Sequence, residues 1–281
     1  MLLELPVELR KIILSYFTRK EYKETVPCKG LLLCKSYLSL KDFSKLRELF
    51  IVKLSQQELE GLFVKSCETS NVWLADKLIV KFNVNPAIKK NYAILCASCH
   101  GCLELAERLL QDLRVDPSVW NNEAILLASE YGHIRVLNRL LLDPRVDPSD
   151  RHNTAIRDAS YRGFLEIVER LLLDPRVDPS ACNNQAIGTA SEKGHIKIVE
   201  RLLQDSRVNP SANDNYAIRE ASRKGHTKVV ERLLQDPRVD PSADNNYAIR
   251  WAAKEYHLRV VKLLLEDSRV WDVYYLTEKK K

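Results

Sequence analysis

Apolar residues recur along this chain in a pattern that repeats every 31 residues. Short phrases built around Ala-Ile, such as "NYAIR" and "NNQAIG", return at this interval with no insertion or deletion. Their alanines are Ala93, Ala124, Ala155, Ala186, Ala217 and Ala248. A fixed period of about 20–50 residues is typical of proteins built from stacked structural repeats. The sequence therefore predicts an array of similar units.

One unit, residues 215–244, predicts two helices joined by a tight turn. Asn215 is expected to cap the first helix through its side chain, and Gly225 to end it in a left-handed conformation. Pro237 cannot continue the second helix. In both helices small or apolar residues lie at i, i+1, i+4 and i+5, on one face: Ala217, Ile218, Ala221 and Ser222, then Val229, Val230, Leu233 and Leu234. Neither helix can cover this face alone, so neighbouring units must stack.

Some positions hardly change from unit to unit, and we assign them, with the paired leucines of the second helix, to the scaffold. Asn precedes the first helix, Gly forms the turn, and Arg precedes a Val in the connecting loop. These residues are Asn91, Asn122, Asn153, Asn184, Asn215 and Asn246; Gly101, Gly132, Gly163, Gly194 and Gly225; and Arg114, Arg145, Arg176, Arg207, Arg238 and Arg269.

The repeated phrase resembles the ankyrin repeat. The half that reads A-S/A-x-x-G-H-x-x-V-V-x-x-L-L matches closely at residues 190–203 and 221–234, and the resemblance covers about residues 59–271. It implies an all-α, ankyrin-like solenoid of stacked helix-turn-helix repeats of 31 residues. The T-P-L-H start of that family is replaced here, and a period of 31 rather than 33 implies a shortened or distorted hairpin finger.

The array is predicted to have atypical ends. Residues 59–89 form a degenerate first repeat, residues 90–244 the clear repeats, and residues 245–281 a C-terminal cap repeat, in which Tyr256 replaces the turn Gly. Units rich in "DPRVDPSADNN" also resemble the ankyrin arrays of large DNA viruses of amoebae. That resemblance implies a cytoplasmic location, in the host cell if the protein is viral.

Composition and charge narrow the function. The net charge is +6, but residues 1–58 hold 11 Lys/Arg and 7 Asp/Glu, which leaves the array close to neutral. A nucleic-acid partner is therefore disfavoured, since such proteins concentrate positive charge on the docking face. No apolar run is long enough for a bilayer. An odd number of cysteines without a regular framework suits a reducing compartment.

Positions that change between units are free to contact a partner. They lie just before each turn Gly and three residues earlier, and in ankyrin-like proteins they line the concave groove. We define the candidate face as these positions, among which exposed aromatic and basic residues are typical interface anchors. The predicted partner-binding residues are Tyr131, Tyr161, Arg162, Lys193, Arg223, Lys224, Trp251 and Lys254. The alternative is that these charges only keep the array soluble.

Signals for catalysis and metal binding are weak. Cys96, Cys99 and His100 could lie on one helical face, with Cys102 beyond the turn, but zinc usually needs four converging ligands. Cysteine as a small packing residue is the favoured interpretation. The single His of each repeat is interpreted as structural. No phosphate loop, serine elbow or paired-acid motif is present, so we expect no enzyme, no cofactor and no metal.

Residues 1–58 predict three short helices with net positive charge. The pattern L-P-x-E-L-x-x-x-I-L-x-Y-F followed by L-L-x-C-K-S-Y resembles an F-box, which docks on the Skp-type adaptor of cullin–RING ubiquitin ligases. The resemblance implies that the adaptor groove is filled by Leu5, Pro6, Leu9, Ile13, Leu14, Phe17, Leu33 and Cys34. The alternative is a helical cap for the array.

Taken together, the sequence predicts an adaptor that presents a bound protein to a ubiquitin ligase. The alternative is an ankyrin-like scaffold that sequesters a partner without recruiting a ligase. Neither hypothesis involves a membrane or nucleic acid, and both expect a monomer apart from its partners.

Overall fold

The computed structural model describes residues 54–270. The chain divides into two compact units, residues 1–119 and 120–281. The helices, in chain order, are α1 Gln56–Glu68, α2 Val72–Val80, α3 Ile88–Cys99, α4 Leu103–Leu110, α5 Val119–Glu130, α6 Ile134–Leu141, α7 Asp150–Arg162, α8 Leu165–Leu172, α9 Ala181–Lys193, α10 Ile196–Leu203, α11 Ala212–Arg223, α12 Thr227–Leu234, α13 Ala243–Lys254 and α14 Leu258–Leu265. Residues 54–270 contain no β-strand, so the predicted all-α class is confirmed.

Longer and shorter helices alternate, and each pair is one repeat. In the second unit α7, α9, α11 and α13 pack one against the next, and the shorter α6, α8, α10, α12 and α14 do the same. In the first unit α1 packs on α3 and α2 on α4. Each unit is therefore a two-layered stack of helix pairs, as the 31-residue period predicts.

The core consists of the residues that the apolar pattern singled out. In the repeat of α11 and α12, Ala217, Ile218, Ala221, Ser222, Val229, Val230 and Leu233 are all buried. Leu234 is only partly buried, because it lies at the end of α12 where the chain leaves the stack. At about 25 cal/mol per Å² of buried apolar surface, this core is the main stabilising term of each repeat.

The Asn that recurs in each repeat was expected to cap the first helix through its side chain, and this prediction is wrong. Asn215 lies just before the right-handed part of α11, but its Oδ1 accepts a hydrogen bond from the backbone N–H of Asp240, 2.7 Å away in the loop after α12. The same bond, at 2.7–2.9 Å, is made by Asn91, Asn122, Asn153 and Asn184. The Asn therefore ties the start of one helix to the end of its own repeat.

In each first helix from α3 onward, the second to fourth residues of the range form a left-handed turn, and the right-handed helix begins after them. The φ angles of this turn lie between 49° and 61°, a region that Asn and Asp tolerate best among non-glycine residues. Twelve of the eighteen residues in these turns are Asn or Asp. This explains the recurrent "NN" and "DN" letters, which the sequence pattern alone had assigned only to capping.

The connecting loops within residues 54–270 contain no β-hairpin, in agreement with the shortened or distorted finger expected from the period. Asp240 Oδ1 instead accepts hydrogen bonds from the N–H and hydroxyl of Ser242, at 2.9 and 2.7 Å. Arg238 makes a two-point ion pair with Asp236 and also donates to the carbonyl of Val208 in the preceding repeat, 2.9 Å away. The scaffold role predicted for this Arg is confirmed.

The turn glycines are confirmed, and they explain the repeated histidines. The five glycines have φ between 66° and 89°. A Cβ on Gly194 would lie 2.6 Å from Nδ1 of His226, which belongs to the next repeat. Nε2 of that ring donates to the carbonyl of Glu192 at 2.8 Å. Glycine thus provides both the left-handed turn and the space for a ring from the neighbouring repeat.

The first repeat keeps the helix pair while changing its turn. Ser70 has φ 52° at the place of the Gly, and Asn71 accepts from the N–H of Leu74 at 3.1 Å to cap α2. Ser55 and Glu58 form a reciprocal capping box at the start of α1. In the last described repeat Tyr256 takes the place of the Gly with φ 58°. The predicted F-box-like residues, Leu5 to Cys34, and the end of the cap repeat lie outside the described residues.

Candidate functional site

The predicted partner-binding residues all lie on the first helices of the second unit or just after them. Tyr131, Tyr161, Arg162, Lys193, Lys224 and Lys254 are exposed, whereas Arg223 and Trp251 are partly buried. They occupy equivalent places near the C-terminal ends of α5, α7, α9, α11 and α13. Since these first helices from α7 onward stack directly on one another, the side chains follow one another along one edge of the stack.

Two tyrosines are the most exposed aromatic residues of the candidate face. Tyr131 is 49% exposed and Tyr161 is 42% exposed. The ammonium of Lys193 lies 4.6 Å from the ring centre of Tyr161, a cation–π contact that holds the ring from one side. Two phenol rings on a packed helical frame supply contact area at little entropic cost, as interface anchors do.

Trp251 is less available than the sequence suggested. Its ring lies 5.6 Å from that of Tyr247, and the ammonium of Lys254 lies 4.2 Å above it. Trp251 is therefore partly covered by neighbours on its own helix, α13, as well as facing outward. A substitution at Trp251 combines packing and surface effects, whereas substitution of Tyr131 or Tyr161 acts mainly on the surface.

The charges of the candidate face largely pair with each other. Arg162 contacts Glu130 at 2.6 Å, Lys193 contacts Glu192 at 3.2 Å, and Arg223 contacts Glu220 at 2.5 Å. From position 127 to position 255 the face holds five basic and five acidic residues. The charges of the candidate face are therefore balanced and favour neither a strongly acidic nor a strongly basic partner. The aromatic residues are the main contact groups of the candidate interface.

Glu192 connects two repeats through the hydroxyl of Tyr216, which donates to its Oε2 at 3.0 Å. Burial would raise the pKa of Glu192, but the hydrogen bonds from Lys193 and Tyr216 outweigh it and lower the pKa below its usual value. Burial, with the same hydrogen bond, raises the pKa of Tyr216 to about 12. At neutral pH the pair is a phenol that donates to a carboxylate.

The cysteine cluster belongs to the first unit. Cys96 is buried, while Cys99 and Cys102 are partly exposed. Burial raises the pKa of the Cys96 thiol, which disfavours the thiolate that metals and electrophiles require. Among residues 54–270 no group of three or more His, Cys, Asp or Glu side chains is arranged to hold a metal ion.

The second unit also contains a cavity of about 290 Å³ that the sequence reasoning missed. It lies between the starts of α9 and α11, and its lining includes Gly188, Thr189 and Tyr216. One position in the sequence could have indicated this cavity, because Gly188 has no side chain where the other repeats have a large one. The equivalent residues are Leu95, Leu126, Arg157, Arg219 and Arg250.

A search for spanning segments in residues 54–270 finds no helix with the length and apolarity needed to cross a bilayer.

Comparison with known families agrees with the repeat architecture. The family model described as "Ankyrin repeats (3 copies)" matches the chain four times in overlapping registers, at residues 93–183, 125–214, 156–245 and 187–273. The matches advance by about one repeat at each step, and together they span more than half of the chain. No curated protein matches the sequence.

Proposed function

Because this chain belongs to the ankyrin-repeat family, we propose that it is a protein-binding adaptor whose candidate face holds a partner protein. The observation that supports this most directly is the exposure of Tyr131 and Tyr161 on a stack of packed helices. Surface aromatics at positions that vary between repeats have no part in the core and are suited to a central contact with another protein. The chain would supply binding and orientation and no chemical step.

The test replaces both tyrosines with Ala in the full chain. We expect partner capture to weaken at least tenfold, while the melting temperature falls by less than about 2 °C, because surface substitutions change stability little. Co-purification from the native cell, quantified by mass spectrometry, identifies the partner; its affinity for each purified variant is then measured by calorimetry.

A matched control is the double substitution of Leu142 and Leu173 with Ala. Both leucines are 73% exposed and lie at the ends of second helices, away from the candidate face. This control removes exposed apolar surface without touching the tyrosines, so it should leave affinity unchanged. Equal loss of affinity in both double variants would contradict the assignment of the face.

We further propose that residues 3–54 bind a Skp-type adaptor, so that the captured protein is presented to a cullin–RING ubiquitin ligase in the cytoplasm. The support is the F-box-like pattern of Leu5, Pro6, Leu9, Ile13, Leu14, Phe17, Leu33 and Cys34. Such a row of apolar residues needs a protein cover in water. A scaffold that sequesters its partner without a ligase is the competing function.

The two functions differ in a direct binding experiment. We expect the intact chain to bind purified Skp-type adaptor at micromolar concentration or tighter. The substitution Leu9→Asp should abolish this binding, since a charge buried without a partner in an apolar groove is costly. Lys11→Asp, which introduces the same carboxylate at a polar position of the same segment and changes the net charge by one unit more, should retain it. Failure of the unmodified chain to bind would leave sequestration as the function.

A further inference from the structure

The cavity at Gly188 lies where three other repeats hold an arginine. Arg157, Arg219 and Arg250 occupy the position of Gly188 in their own repeats. Each donates through Nη2 to the carbonyl six residues earlier: Arg157 to Arg151 at 3.4 Å, Arg219 to Asn213 at 3.4 Å, and Arg250 to Asp244 at 3.2 Å. The array therefore contains three internal examples of how this place binds a guanidinium.

Arg219 shows the complete arrangement. Besides the carbonyl of Asn213, its guanidinium contacts Asp244 Oδ2 in the next repeat at 2.6 Å. The carbon of the guanidinium also lies 5.0 Å from the ring centre of Tyr247, within the range of a cation–π contact. The side chain of Arg219 is only 16% exposed. A carbonyl, a side-chain oxygen and a phenol ring thus surround the cation.

All three groups have counterparts around the cavity. By the 31-residue period, the carbonyl of Asn213 corresponds to that of Cys182, Asp244 to Asn213, and Tyr247 to Tyr216. Cys182, Asn213 and Tyr216 all line the cavity. The one component that is missing from the repeat of α9 is the arginine itself, because Gly188 has no side chain.

A neutral oxygen in place of Asp244 does not disqualify the site. Arg157 donates through Nη1 to Oε1 of Gln185, an uncharged amide in the next repeat, which stands where Tyr247 stands relative to Arg219. The Oδ1 of Asn213 can act in the same way. The cavity, at about 290 Å³, lies near the lower end of the range for small-ligand pockets, which suits a single side chain.

The ring of Tyr216 is held against the glycine. A Cβ at position 188 would lie 2.9 Å from Cδ1 of Tyr216, and the hydroxyl is fixed by Glu192. A lysine ammonium could contact the ring but lacks the planar fork that reaches two acceptors while it stacks. The geometry therefore favours a guanidinium over other cations.

We propose that the cavity at Gly188 receives an arginine side chain of the partner protein, which takes the place of the arginine that this repeat lacks. Thr189, one of the candidate-face positions, lines the same cavity, so an arginine entering here belongs to the same interface. The inference rests on the proposed protein-binding function and adds one feature of the partner, an exposed arginine.

The test uses short peptides and the amide resonances of Gly188 and Thr189 in the full-length protein. Acetyl-Gly-Arg-Gly-amide should shift these resonances saturably, with a dissociation constant of about 1–10 mM, as one small group gives. The peptide with citrulline, which has nearly the same shape without charge, and the peptide with lysine should each bind at least fivefold more weakly. Free arginine should bind no tighter than the capped peptide.

Two substitutions make the result specific. Gly188→Arg supplies the guanidinium from the chain itself and should remove binding; its Cβ requires the ring of Tyr216 to shift, so the melting temperature should fall by a few degrees while the protein stays folded. Arg219→Gly should open the matching cavity between α11 and α13 and add a second site, with shifts at position 219. That second cavity tests the geometry even if Gly188→Arg fails to fold.

Equal binding of citrulline and arginine, or binding that persists in folded Gly188→Arg, would overturn the proposal. A free arginine that binds tenfold tighter than the capped peptide would overturn a protein source for the ligand. The proposed protein-binding function is tested separately from this site. Replacing Tyr131 and Tyr161 should weaken partner capture and leave peptide binding at Gly188 unchanged, because neither tyrosine lines the cavity.

Discussion

At the scale of single residues, the loop Asp and Arg of each repeat form the most regular electrostatic feature of the array. The side-chain hydrogen bond from Arg238 is the largest cause that lowers the pKa of Asp236, and the same cause lowers the pKa of Asp112, Asp143, Asp174, Asp205 and Asp267. A depressed pKa in the folded state stabilises the protein above the unfolded pKa, near 3.9 for Asp. That stability is lost as the pH falls below about 4.

Asp236→Asn should therefore lower the free energy of unfolding at pH 7 and flatten its decline between about pH 4 and pH 2. The loss at neutral pH should be about 1 kcal/mol, because Arg238 is 43% exposed and the pair is partly screened by water. Urea unfolding at a series of pH values measures both effects.

The control for this change is Asp240→Asn. In the neighbouring repeat Asn209 already accepts the equivalent two bonds from Ser211, at 3.1 and 2.7 Å, so Asp240→Asn should change the free energy of unfolding at pH 7 by less than about 0.5 kcal/mol. An unchanged pH profile in Asp236→Asn would show that the ion pair does not contribute to stability.

At the scale of elements, α8, α10, α12 and α14 each follow a ring that packs on the turn glycine of the preceding repeat. His195, His226 and His257 donate from Nε2 to a carbonyl 34 residues earlier. Phe164 occupies the same place against Gly132 with no nitrogen to donate. The ring therefore supplies packing in every case, and the histidine adds a hydrogen bond.

Substitutions at His226 should separate these two contributions. His226→Phe keeps the ring and should cost about 1 kcal/mol, the net value of one hydrogen bond. His226→Ala removes both and should cost about 2–3 kcal/mol. The reverse change, Phe164→His, should stabilise the protein by an amount similar to the loss in His226→Phe. Chemical unfolding measures all three, and identical values for Phe and Ala at position 226 would exclude a packing role for the ring.

At the scale of the whole molecule, the second unit is a stack in which each described repeat packs on its neighbours. Stability in such arrays is close to a sum of repeat and interface terms. A defect in the middle should therefore have local consequences that weaken with distance along the stack. Neighbouring repeats from α6 to α14 pack on one another, so a substitution in one repeat tests how far its effect on stability spreads.

Leu202→Ala should remove about 2–5 kcal/mol, because Leu202 is fully buried in α10. Leu142→Ala, which affects a leucine that is 73% exposed, should cost less than about 0.5 kcal/mol. Amide exchange should show the largest loss of protection in α8, α10 and α12 and smaller losses in α14. A uniform loss throughout residues 120–270 would instead show that the unit unfolds as one cooperative body.

The sequence by itself determined the repeat, the helix pairs, the turn glycines and the inward positions, because these follow from local periodicity and residue chemistry. The candidate face stays a prediction from the positions that vary between repeats. The tertiary structure decided what lies 25–34 residues apart: the bond from Asn215 to Asp240, the ring of His226 on Gly194, and the bond from His257 to the carbonyl of Arg223. The cavity at Gly188 also depends on the tertiary structure, because residues of the next repeat bound the space that the missing side chain leaves.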